Sequence, residues 1–167
     1  MTDNKMARAG FLLAIAVVVQ QLRVLLPLPT PVTTLLIGTI VNCVLALAVK
    51  FTSLSWALRL SLVLPCIAFV QGYLFMIFQI PVVFLANGIY VWVYSKGQNK
   101  SVLLVAPLVK TLAMAVFILV VANLFGMEGK LNSKLIFMMC WPQLITGILG
   151  LLLARIIATR LTTDNKK

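Results

Sequence analysis

Histidine is absent from the 167 residues, and acid is nearly so: Asp3, Glu128 and Asp164 are the only carboxylate side chains, against 14 Lys and Arg. All three acids lie near a terminus or in a loop, so no Ser-His-Asp, Cys-His or paired-carboxylate arrangement can form inside the apolar runs. The HExxH zinc signature and the phosphate-cradling GxxxxGK[ST] loop are missing too. These absences argue against an enzyme. They also argue against a proton-coupled pump, which needs an intramembrane carboxylate or imidazole as relay. Cys43, Cys66 and Cys140 show no CxxC spacing and fall within apolar runs, so neither a disulfide framework nor a metal site is expected, and no cofactor is implied. Long polar blocks are lacking as well, which leaves no stretch able to bury a soluble core of its own.

What remains is an apolar chain: 62% of residues are hydrophobic and the mean hydropathy is +1.11. Windows of spanning length predict helices near 11–27, 33–50, 56–76, 81–95, 102–125 and 134–159, which makes one all-α integral membrane domain, a six-helix bundle. The first run has no small-residue cleavage site after it and reads as a retained helix. The third and fourth helices share one apolar stretch, divided at Gln79-Ile80-Pro81 because Pro is favoured in the first turn of a helix. Pro27, Pro29 and Pro31 separate the first pair in the same way.

The net charge of +11 does not mark a nucleic-acid binder, because the basic residues are scattered in ones and twos at helix ends. Topology accounts for them. With the N-terminus inside, Lys5, Arg8, Lys50, Arg59, Lys96, Lys100, Arg155, Arg160, Lys166 and Lys167 gather on the cytoplasmic side, against Arg23, Lys130 and Lys134 opposite. The positive-inside rule then places both termini in the cytoplasm.

Polar residues inside the spans are the candidates for function. Lys110 is the costliest: it either snorkels to the boundary or faces the bundle, where its charge suits an anionic group. Asn123, on the same helix, is about 140° around from it, so both cannot point into one cavity. Asn87, Tyr90 and Tyr94 share one side of the fourth helix. Asn87 and Gln143 lie at matching depth, roughly 10 Å in from the outer surface. Each is either a ligand contact or a bond between helices. Trp141-Pro142-Gln143 is expected to break the last helix, with Trp141 and Tyr90 as further ligand candidates; Trp92 and Tyr94 read as anchors at the inner boundary. Asn42, on a face with Gly38 and Ala46, reads as interhelical glue. Gly10, Ala14, Val17 and Gln21 line one face of the first helix, with Ala9, Ala16 and Gln20 beside it, a seam for internal packing or for a partner protein.

Thr39-Ile40-Val41-Asn42, Leu64-Pro65-Cys66-Ile67-Ala68-Phe69-Val70-Gln71-Gly72, Ile80-Pro81 with Asn87, Val109-Lys110 and Trp141-Pro142-Gln143-Leu144-Ile145-Thr146-Gly147 span nearly the whole chain. With six basic helices and a small-residue first helix, they resemble the substrate-binding S components of energy-coupling factor (ECF) transporters. Most similar are the short S components of anaerobic Firmicutes with no assigned substrate. The resemblance implies a multi-pass protein of a bacterial cell membrane, surrounded by the lipid bilayer. It would capture a small organic micronutrient, a vitamin or a precursor, at the outer face and dock on a coupling transmembrane subunit bound to two ATPases. The resemblance implies a binding cavity among the outer loops and later helices, for which Asn87, Gln143, Trp141, Tyr90 and Lys110 are the candidates, and docking through small residues of the first helix, here Gly10, Ala14, Ala9 and Ala16. The family's docking helix carries an AxxxA pair; here Gly10 and Ala14 are four apart, with Ala9 and Ala16 nearby. The lack of His argues against the nickel and cobalt members. Two other readings stay open: a structural membrane protein of the cell-shape or cell-wall machinery, in which the small faces bind other helices, and a self-contained permease, for which an internal repeat would be expected.

Overall fold

The structure is a computed structural model that describes residues 2–25, 29–74, 77–97, 99–126 and 133–164. Pro27, Glu128, Lys130, Lys166 and Lys167 lie outside the described residues. Six helices follow one another: α1 (Thr2–Leu25), α2 (Thr30–Phe51), α3 (Leu54–Val70), α4 (Gln79–Ser95), α5 (Val102–Leu124) and α6 (Ser133–Asp164). No strand occurs among the described residues. Four stretches, Asn4–Arg23, Pro31–Phe51, Val102–Leu124 and Met139–Thr162, are long and apolar enough to cross a membrane; Leu54–Val70 and Gln79–Ser95 are apolar but shorter.

Local chemistry sets the helix ends. Pro31 occupies the first turn of α2, where its missing N–H costs nothing. At the other end Thr52 closes α2, its N–H and its hydroxyl both donating to the Ala48 carbonyl, the latter at 2.6 Å. The next residue, Ser53, starts α3 by accepting from the Trp56 N–H. The third helix is shorter than the 56–76 window because it stops in a Schellman turn. Gly72, at φ 75°, donates to the Phe69 carbonyl and Tyr73 to that of Ala68. Hydropathy runs on through this turn, so it is invisible to an apolar window. The last helix continues unbroken through Pro142 to Asp164, which corrects the expected break at Trp141-Pro142-Gln143. The Pro142 ring is buried against the bundle and costs α6 one backbone bond without ending it.

α2 is the hub. It packs on α1, α3, α4 and most closely on α6, while α5 lies between α4 and α6. Every residue from Asn42 to Ala48 is buried, so this half of the helix is enclosed on all sides, while Val32 and Leu36 in its first half face outward. Glycine makes the α2–α6 approach possible: a Cβ on Gly150 would stand 2.7 Å from the Asn42 Cβ and 2.9 Å from the Thr39 carbonyl oxygen. Gly147 likewise admits Pro107 of α5, whose Cβ would be 2.8 Å from an added methyl. At one end Phe78 and Phe125 stack, with centroids 5.6 Å apart, joining the start of α4 to the end of α5. Large apolar side chains face outward on every helix, including Phe11, Val70, Leu85, Leu112 and Ile156. A bundle with a packed interior and an apolar exterior is what a hydrocarbon solvent favours.

Candidate functional site

The polar residues of four helices converge on Lys110. Its side chain is 3% exposed, and Nζ donates to Asn42 Oδ1 at 2.6 Å. The same ammonium stands 5.1 Å from the centre of the Tyr90 ring, on the side of a cation–π contact. Lysine therefore faces the bundle and does not snorkel. Asn123 is exposed, as the helical wheel requires once Lys110 points inward.

An ammonium only donates, so it assigns the Asn42 amide: oxygen toward Lys110, nitrogen away. Asn42 Nδ2 then donates to Thr146 Oγ1 at 3.1 Å, and the Thr146 hydroxyl to the Gln143 carbonyl at 3.4 Å. All donors in this chain run one way, from α5 through α2 to α6. Tyr90 closes the fourth side; its hydroxyl lies 3.2 Å from the Gly147 carbonyl and 3.5 Å from that of Asn42. Pro107 has a part in positioning the lysine: it is buried one turn before Lys110 and fits against Gly147. Carboxylates are absent from this cluster; Asp3 and Asp164, the two within the described residues, lie at the ends of α1 and α6. The charge thus rests on neutral ligands in an apolar interior, where an unpaired ion costs several kcal/mol.

The sequence candidates divide. Lys110 and Tyr90 are in the cluster. Asn87 is buried on α4, one turn from Tyr90, while Gln143 is half-buried on α6 and enters only through its backbone carbonyl. No hydrogen bond joins the two amides; α4 and α6 meet through the Tyr90 hydroxyl on the Gly147 carbonyl instead. Trp141 is half-buried on α6. Tyr94 is 2% exposed in the core and is no boundary anchor, whereas Trp92 is 51% exposed with the Lys96 ammonium 5.0 Å from its ring. Asn42 is glue, as read, yet it is also the lysine's ligand. Thr146 was missed; its place four residues before Gly150, on the α6 face that meets α2, was the available signal.

On α1 the small residues separate by side. Ala9 and Ala16 are 3% and 0% exposed, packed within the bundle, so a partner cannot reach them; Gly10 and Ala14 are exposed. A second polar group lies where α1 and α3 end and α2 begins. The Arg23 guanidinium stacks on the Tyr73 ring at 4.8 Å, and its Nη2 is 3.4 Å from Thr34 Oγ1. Two open grooves on the outside, one along Leu62, Val63, Cys66, Ile67 and Val70 and one along Leu58, Phe84, Leu85, Gly88, Ile89 and Trp92, are apolar and do not reach either cluster. No family model, curated protein or solved structure matches the chain.

Proposed function

We propose that the chain is a membrane-embedded solute-binding subunit with no energy source of its own, working as the S component of an ECF-type importer for a vitamin or related micronutrient. The observation that carries this reading is Lys110: a lysine enclosed among four helices and held by an amide oxygen and an aromatic face, with no acid beside it among the described residues. A structural bundle does not need such a charge, since an apolar residue of the same size packs there without the desolvation cost. A binding subunit does gain, because the charge draws an anionic group of a solute toward the interior.

In this reading all six helices cross the bilayer, α3 and α4 as short spans of roughly 25 Å. Arg8, Lys50, Arg59, Lys96, Lys100 and Arg155 mark the cytoplasmic end, which holds both termini. The solute enters from the opposite end, past Asn87 and Gln143, with its anionic group directed toward Lys110. The exposed Gly10 and Ala14 form the surface that meets the coupling membrane subunit, itself bound to two ATPases. A pull-down of the tagged chain from native membranes in gentle detergent tests this: recovery of a membrane subunit with two ATPases supports it, and recovery of cell-wall or cytoskeletal proteins in their place overturns it.

The structural reading, a subunit of the cell-shape machinery, is favoured by one observation. The chain from Lys110 through Asn42 and Thr146 to the Gln143 carbonyl ties α5, α2 and α6 together. If that is its whole purpose, Lys110→Met leaves the phenotype of the cell intact wherever the bundle still folds. In the importer it abolishes uptake.

A further inference from the structure

Four buried side-chain atoms have no hydrogen-bond partner among the described residues: Gln20 Oε1, Arg23 Nε, Gln71 Oε1 and Tyr73 Oη. They are not scattered. Gln20 lies one turn before Arg23 on the same face of α1; Arg23 stacks on Tyr73; and Gln71 and Tyr73 flank Gly72 in the turn that ends α3. Gln20 is 6% exposed, and α1 packs only on α2 and α3 among the described residues, so the seam of these three helices covers it. Buried polar groups are almost always paired, and four orphans in one seam, each left so at a cost, call for a specific reason.

From this seam we infer a second binding site, at the end of the bundle opposite the basic one, for an anionic group that carries adjacent neutral hydroxyl or N–H donors. The chemistry follows from the four atoms. Arg23 Nε is a cationic donor and takes an anionic oxygen. The two glutamine oxygens only accept, so they need N–H or O–H groups on the ligand, and Tyr73 does either. The donors are neutral because Arg23 is the one charged side chain of the group, and an ammonium would be repelled by it. Thr34 and the Tyr73 ring hold the guanidinium in place beforehand, which lowers the ordering cost of binding.

Two sources present this chemistry: a hydroxylated or ureido carboxylate from solution, and the glycerol phosphate headgroup of a lipid. Neither depends on the transport reading, because binding is measured on the isolated chain and not through its partners. The full chain is placed in nanodiscs of phosphatidylcholine and titrated calorimetrically with glycerate and with N-carbamoylglycine, using propionate as the anion without donors. In the second arm phosphatidylglycerol is mixed into the discs, and lipid retained by the protein is read by native mass spectrometry.

Binding in one arm is expected to fall at least about tenfold in Gln20→Leu and in Arg23→Gln, with propionate correspondingly weaker than glycerate or N-carbamoylglycine if the solute arm is the one that binds. Gln20→Leu is expected to unfold no earlier than the wild type when no ligand is present, since it removes an unpaired polar atom. Gln71→Leu serves where Arg23→Gln fails to fold. Failure of all three probes to bind, or binding unchanged in Gln20→Leu and Gln71→Leu, overturns the inference. So does a loss of thermal stability in Gln20→Leu without ligand, which would mark a hydrated packing junction.

Discussion

Asn42→Leu and Lys110→Met, made singly and together, measure the contact on which the interior cluster depends. Leucine reproduces the branched shape of asparagine and methionine most of the lysine stem, so packing changes little. Asn42→Leu takes away the one oxygen among the described residues that accepts from Nζ, at 2.6 Å, and leaves the charge buried at 3% exposure. Removing one partner of a buried charge contact costs about 3–5 kcal/mol. With Lys110→Met already in place, the same change removes the bond from Asn42 Nδ2 to Thr146 together with an oxygen that has already lost its donor, and costs at most about 1 kcal/mol. The difference sets a coupling of roughly 2–4 kcal/mol between the two positions. Lys110→Met alone is expected to be neutral or stabilising, because relief of ammonium burial offsets the orphaned amide oxygen. Reversible unfolding in mixed detergent–SDS micelles, followed by circular dichroism, gives the four free energies. A coupling below about 0.5 kcal/mol would mean that Lys110 does not rest on Asn42 and would refute the assignment of the amide oxygen as its ligand.

Gly150→Ala is expected to destabilise by about 1–3 kcal/mol, because its Cβ meets Asn42 Cβ, the Cys43 nitrogen and the Thr39 oxygen, backbone as well as side chain. Gly10→Ala meets nothing within 4 Å and should be neutral or slightly stabilising in the same unfolding assay, which makes it the control. Tyr90→Phe loses the bond to the Gly147 carbonyl and is expected to cost about 0.5–1.5 kcal/mol, with the ring left under Lys110; a larger loss would show that the hydroxyl does more than bridge α4 and α6. On α1, Gly10→Leu and Ala14→Leu should reduce co-purification of a membrane partner without changing the unfolding midpoint, whereas Ala16→Leu should lower the midpoint because that residue is fully enclosed. Equal loss of partner from Ala16→Leu at unchanged stability would refute the division of this helix into an inner and an outer side.

The amino-acid sequence alone determined that the chain is all-helical and apolar, because hydropathy and length are properties of each segment taken separately. It placed the helix order, the proline-marked break between α1 and α2 and the separation of α3 from α4 near Gln79, since proline acts on its own neighbourhood. It singled out Lys110, whose cost depends only on lying in an apolar run. It did not show where α3 stops, because the Schellman turn at Gln71-Gly72 is as apolar in its surroundings as the helix before it. Pro142 misled for a similar reason: a proline removes one bond, and whether the helix survives depends on what packs against the freed turn.

Tertiary structure decided which way each polar residue faces and what it meets. Lys110, Asn42 and Thr146 come together from positions 68 and 104 residues apart, a convergence that glycine contacts between α2, α5 and α6 create and that no local pattern records. Asn87 and Gln143 are expected at one depth from the sequence, yet no hydrogen bond joins them, because position along a helix follows from the sequence and side-chain partners do not. The same holds for α1, where Ala9 and Ala16 differ from Gly10 and Ala14 only by the side of the helix that the rest of the bundle occupies. Depth and apolarity are one-dimensional; partners are fixed only when helices choose their neighbours.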